Sequence, residues 1–177
     1  MLGYRFTKTW RIFILGNITC RITLQVSNHE TPGSTRSSFM TTPFYIEVEL
    51  NDEWIAPVYD HVHHGRALSL LEQARGAILD RIGFPNDELM RQGKVIVVTR
   101  VDVAYRRELK RGRVQVTCED AAVEGRTMRM RQRIINERGK SAVEGVVELM
   151  FMDHETKRGM NPPEDFLAAL LSAARLA

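Results

Sequence analysis

Residues 59–83 read YDHVHHGRALSLLEQARGAILDRIG, and every other segment of the chain has to be placed around them. Ala67, Leu71, Ala74, Ile78 and Ile82 recur at steps of three and four, which predicts one apolar stripe on a helix over 65–82. Gly83 ends that helix and Pro85 follows it. Three of the five histidines, His61, His63 and His64, fall within four positions just ahead of it, next to Asp60. The unpaired amides at a helix start carry partial positive charge, so this cluster suits chemistry on an anionic intermediate.

Composition sets outer limits. With 25 Lys and Arg against 22 Asp and Glu, the chain is only slightly basic, and this balance gives no ground for nucleic-acid binding. Its 44% hydrophobic and 27% charged residues are those of a soluble globular protein, expected in the cytoplasm. No apolar run approaches the roughly 18–20 residues of a membrane span. Cys20 and Cys118 lie far apart, in no metal-ligand spacing, so free thiols in a reducing compartment are expected.

Two regions differ in character. Residues 1–43 hold Arg5, Lys8, Arg11, Arg21 and Arg36 against Glu30 alone up to residue 39, and 28–42 are rich in Ser, Thr, Pro and Gly. They read as an extension that is flexible or a start-site artefact upstream of Met40. A targeting peptide and a local strand over 21–26 are the other readings. Residues 44–177 form the domain.

Within the domain, 44–50 alternate apolar residues with Glu47 and Glu49, as a half-buried strand does. After the helix, 86–92 read as a short polar connection. A second long strand follows, in which Val95, Val97, Val101, Val103 and Tyr105 are expected to share one face. Turns at Gly112, Gly125 and Gly139 separate it from three more strands, ending with 142–152. Connections this short require antiparallel pairing. The sheet's apolar face must be covered, and the 65–82 helix is the element available. A last helix, PPEDFLAALLSAARL, is expected on the outside or at an edge. The fold class is therefore α+β, an antiparallel sheet wrapped around one long central helix.

This order is that of the hotdog fold, and three stretches carry a family resemblance. HVHHGRALSLLEQAR resembles the signature His-Val-Asn-Asn, six residues, Phe or Leu, Glu, any residue, Ala, Arg of the 4-hydroxybenzoyl-CoA thioesterase family. VVTRVDVAYRRELKRGRVQVT resembles that family's strand ending in Tyr-Arg-Arg. MFMDHETKRGMNPPEDFLAAL resembles its last strand, Asp-x-x-Thr-x-Arg turn and Pro-x-x-Leu tail. The likeness is closest to the long-chain acyl-CoA thioesterases and spans about residues 44–170.

The resemblance implies hydrolysis of a fatty or aromatic acyl-CoA, or of an acyl-carrier-protein thioester, by a homodimer or homotetramer with sites at subunit interfaces. Coenzyme A enters as part of the substrate, with no other cofactor. A carboxylate acts as nucleophile or base, and an amide at the helix start holds the oxyanion. By register that amide is His64's, eight residues before Glu72, or Gly65's. The family's catalytic Asp stands four residues before the signature His, which here is Pro57.

Asp60 and Glu72 are the carboxylates that take its place. Asp60 reads as a relocated acid or as a cap of the helix. Glu72, in a row with Leu68 and Leu79, is expected to be partly buried with a raised pKa, or else paired with Arg75. His61 and His64 are candidates to position substrate or water, while His63 replaces a family Asn and holds the loop. Arg129, Arg131 and Arg133 share a strand face; they read either as contacts to coenzyme A phosphates or as cross-strand partners of Glu119, Glu144 and Glu148. Arg106 and Arg107 pose the same choice. No zinc spacing is present in the Asp-His cluster, and no metal is expected. The alternatives to a thioesterase are a non-catalytic acyl-thioester-binding hotdog, and a hydroxyacyl-thioester dehydratase using His61 or His64 with Asp60.

Overall fold

The computed structural model describes residues 43–175, so the readings of residues 1–42 and of Cys20 lie outside the described residues. β1 (Phe44–Leu50) buries Phe44, Ile46, Val48 and Leu50 and turns the residues between them outward. A single 3₁₀ turn, Asp52–Trp54, leads to a small hairpin of β2 (Ile55–Ala56) and β3 (His61–Val62). Then come α1 (His64–Arg81), α2 (Asn86–Arg91), β4 (Lys94–Tyr105), β5 (Gly112–Glu124), β6 (Thr127–Ile135), β7 (Ser141–Asp153), β8 (Gly159–Met160) and α3 (Glu164–Arg175). The main sheet runs β1-β5-β6-β7-β4, antiparallel throughout, with β8 paired to β7. One long helix against a single antiparallel sheet is the expected hotdog arrangement.

α1 forms because its apolar residues fall on one stripe: Ala67, Leu70, Leu71, Ala74, Ile78 and Leu79 are buried. Each large member stabilises the fold by roughly 1.5–3 kcal/mol of apolar burial. The helix packs mainly on β5, and also on β1 and β6. That placement leaves the β4 side of the sheet thinly covered. A buried polar group fixes the helix to the sheet. Gln132, 1% exposed, donates from Nε2 to the Leu71 carbonyl (2.9 Å) and towards Cys118 Sγ (3.3 Å). Its Oε1 accepts from Arg75 Nη1 at 2.8 Å. Burial lowers the Arg75 pKa, and it pushes the Cys118 thiol up to about 12.

Three expectations are corrected. Residues 86–92 are not a plain connection: α2 forms there, seats Leu89 in the core and pairs Arg91 with Glu88 and Asp87. In β4, the residues expected on one face divide between two. The register to β7 shifts between Val98 and Arg100, so Val98 pairs with Leu149 while Val101 pairs with Val147. One inserted residue reverses the alternation. The face shared with the buried β7 residues is therefore Ile96, Val98, Val101, Val103 and Tyr105, with Val95 and Val97 opposite. Finally, α3 is not peripheral. Phe166 and Leu170 belong to the core, and Phe166 stacks edge-to-face on Phe84 (5.2 Å) and Phe151 (4.8 Å).

Candidate active site

His63 takes the N-cap position of α1 with extended backbone, and its Nδ1 accepts from the Gly65 amide at 3.2 Å. This is the loop-holding role the sequence suggested for His63, and it means that His63, not Asp60, caps the helix. It also engages the Gly65 amide. The Arg66 amide reaches back to the His63 carbonyl at 2.9 Å, which leaves the His64 amide as the candidate oxyanion donor. The His64 ring lies 3.9 Å from that of His63, and Tyr105 meets it edge-on at 6.5 Å. Tyr105 Oη donates to the His64 carbonyl at 3.2 Å, tying the edge strand to the helix start. Sequence reasoning did not assign Tyr105 to the site. Its position at the end of the apolar run of β4 was the available signal.

His64, Leu68, Glu72 and Gly76 recur every fourth residue and form one stripe of α1. It borders the buried stripe, which Leu79 joins from the same side, and Leu68 is 39% exposed. Glu72 is exposed too, which corrects the expectation of partial burial. Nor does it form an ion pair with Arg75, whose guanidinium is held by Gln132. Glu72 instead lines a cavity of about 100 Å³ between α1, the sheet and α3, together with Gly76, Ile96, Val98, Leu149 and Phe166. On the core-facing side of β4, Val98, Val101 and Tyr105 are 47%, 43% and 50% exposed. The result is an apolar strand face at the sheet edge that the described residues leave uncovered.

Asp60 and His61 belong to a different cluster. Asp60 has φ 51°, a left-handed conformation that Asp tolerates, and its carboxylate accepts from Arg111 on the turn after β4. Arg111 also grips Asp52. The Arg111 hydrogen bond holds the Asp60 carboxyl below its usual range. His61 Nδ1 lies 2.9 Å from the Tyr59 carbonyl and 3.9 Å from Glu108. A carboxylate stabilised by an arginine in this way is a weaker base and nucleophile than a free one. The structure therefore sets His64 and Glu72 on one helix face, with Asp60 held in an ion-pair cluster.

The candidate phosphate-binding arginines are engaged within the chain. Arg129 pairs with Glu148 (3.1 Å), Arg131 with Glu119 (3.5 Å) and Asp120 (2.6 Å), and Arg133 with Glu119 (2.8 Å). Arg106 pairs with Glu144 at 3.2 Å and holds that carboxyl below its usual range. Arg107 Nη1 donates to the Ser141 carbonyl at 2.7 Å. Among the described residues, no group of three or more His, Cys, Asp or Glu is gathered to hold a metal.

The family model described as the Thioesterase-like superfamily matches residues 50–170. Among solved structures, the fold is similar to a hypothetical protein from Staphylococcus aureus in complex with CoA, at 16% identity and a TM-score of 0.70, covering 78% of this chain and 88% of that one. A DHNA-CoA thioesterase from Staphylococcus aureus is 21% identical, with a TM-score of 0.66 and coverage of 72% and 88%. A thioesterase from Thermus thermophilus, complexed with coenzyme A and Zn, is 25% identical, with a TM-score of 0.64 and coverage of 77% and 97%. No curated protein matches the chain.

Proposed function

The chain belongs to the Thioesterase-like superfamily, and from that premise we propose that it hydrolyses an acyl-CoA thioester to the free acid and coenzyme A. The observation that carries this reading is the α1 stripe, which starts at the His64 amide and, two turns on, sets the exposed Glu72 carboxylate on the wall of a largely apolar cavity. In the reaction, the His64 amide donates to the thioester carbonyl oxygen, which gains full negative charge in the tetrahedral intermediate. Glu72 either removes a proton from the attacking water, or attacks the carbonyl carbon itself to form a mixed anhydride that water then hydrolyses to the free acid and the regenerated carboxylate. Collapse of the intermediate breaks the carbon–sulfur bond and releases the coenzyme A thiolate, which is protonated.

One helix cannot supply both groups to one carbonyl. Eight residues separate His64 from Glu72, about 12 Å of helix rise, whereas each group must approach to about 3 Å. A second copy resolves this. Two chains paired along β4 by a two-fold axis would cover Val98, Val101 and Tyr105 of each other and bring the partner's Glu72 towards His64. This favours a homodimer with sites at its interface, or a tetramer of such dimers, as the working form. The three sequence motifs support the finer reading of a 4-hydroxybenzoyl-CoA thioesterase relative closest to the long-chain acyl-CoA enzymes.

The test is thiol release from a panel of acyl-CoAs, read beside enoyl formation from 3-hydroxyacyl-CoA. Free thiol supports the proposal. Enoyl product would make the protein a dehydratase, and binding with neither product would make it a silent acyl-thioester binder.

A further inference from the structure

We infer that Gly76 sets the size of the acyl group this chain accepts, an inference that rests on the thioesterase reading above. Glycine in a helix interior costs about 1 kcal/mol relative to alanine, and ordinarily a crowded neighbour or a left-handed backbone explains its presence. Neither applies here. Gly76 is helical and is not among the residues with positive φ, and a Cβ built on it meets nothing within 4 Å. By contrast, a Cβ on Gly145 would lie 3.1 Å from Val103 Cγ2 and 3.3 Å from the Asp102 carbonyl, a glycine required by packing. The space at Gly76 serves nothing within the described residues.

What that space adjoins identifies its use. Gly76 lines the same cavity of about 100 Å³ as Glu72, one helical turn further from the helix start. The cavity walls include the apolar Ile96, Val98, Leu149 and Phe166, with Arg75, Asn86 and Arg129 adding polar groups to the lining. An acyl group whose carbonyl sits at Glu72 would therefore run past Gly76, about 6 Å along the helix, before it meets those walls. The first carbons of the chain do not reach residue 76. Later carbons, or an aromatic ring, pass directly over it. Any side chain at 76 would stand in their path, so the missing Cβ admits acyl groups longer or broader than a few carbons.

Gly76→Ala and Gly76→Leu test this, because both substitutes favour helix and leave folding intact. Three quantities are measured for each variant: thermal stability, kcat/KM on acetyl-, octanoyl-, palmitoyl- and benzoyl-CoA, and binding of the matching non-hydrolysable acyl-CoA thioethers. The expected result is unchanged or higher stability, with turnover of acetyl-CoA the least affected of the four substrates. For Gly76→Leu, turnover of the longer and aromatic substrates should fall at least about tenfold, the scale on which pockets discriminate a misplaced methylene. Equal losses on every acyl length, no loss on any, or dissociation of the oligomer as the sole effect would overturn the inference; the last would assign the space to a partner helix. Should the wild-type chain hydrolyse no substrate, the thioesterase reading fails. Thioether binding then decides the role of Gly76 separately, by whether Gly76→Leu weakens only the longer analogues.

Discussion

Replacing Gln132 with leucine removes a buried polar side chain that joins α1 to the sheet, and the cost can be worked from its partners. Gln132 Oε1 accepts from the charged Arg75 guanidinium at 2.8 Å, and Nε2 donates to the Leu71 carbonyl at 2.9 Å. A hydrogen bond to a charged group contributes about 1.5–3 kcal/mol and one between neutral groups about 1 kcal/mol. The Cys118 contact is weak. Leucine recovers part of this through apolar burial but leaves Arg75, already depressed in pKa by burial, without its acceptor. The expected loss is about 2–4 kcal/mol, read as a fall in the urea midpoint at constant slope. Arg75→Met should make the same Gln132→Leu change cheaper by about 1.5–3 kcal/mol, because the orphaned charge is gone. A loss below about 0.5 kcal/mol for the single variant, or no coupling in the cycle, would refute the argument that this network anchors the helix.

Phe166→Ala should destabilise by about 3–5 kcal/mol in chemical denaturation, since Phe166 is buried between Phe84 and Phe151; a cost under about 1 kcal/mol would return α3 to the periphery. Val101→Lys, on the uncovered face of β4, should shift the protein to monomers in sedimentation and abolish turnover without unfolding the chain. For Asp60, the folded pKa lies below its ordinary 3.8 because of Arg111. Its contribution to stability is thus present above that ordinary value and is lost as pH falls through the lower folded one. Carboxyl NMR titration should show Asp60 titrating below 3.8, and Arg111→Ala should bring its pKa back up.

How far the sequence could be read differs by element, for physical reasons. The apolar stripe of α1 was legible because a period of 3.6 holds over 18 residues and one side of the helix meets the sheet. The bulge in β4 was not, because Val95, Ile96, Val97 and Val98 are apolar on both faces, so no alternation marks where the extra residue enters. α2 escaped notice because only Leu89 of its six residues is buried. The amphipathic character of α3 was readable, but its docking on Phe84 and Phe151 is a tertiary fact. At the site, the His-rich helix start was visible as a cluster. The separation of Asp60 from Glu72 was not, since it depends on Arg111, which lies 51 residues away and takes Asp60 as its partner. Glu72 sits one step from a buried row, and its exposure follows from how little of the β4 side α1 covers.

The central claim is that Glu72, not Asp60, works on the thioester. The most direct measurement is steady-state thiol release from the preferred acyl-CoA by the wild-type chain, Glu72→Gln and Asp60→Asn, with acyl-CoA binding measured alongside. Glu72→Gln should lower kcat by about 10²–10⁴ with binding retained, while Asp60→Asn stays within about threefold of wild type, the scale of about 0.65 kcal/mol in barrier. Full activity in Glu72→Gln, or a collapse in Asp60→Asn that leaves the fold and binding intact, would contradict it.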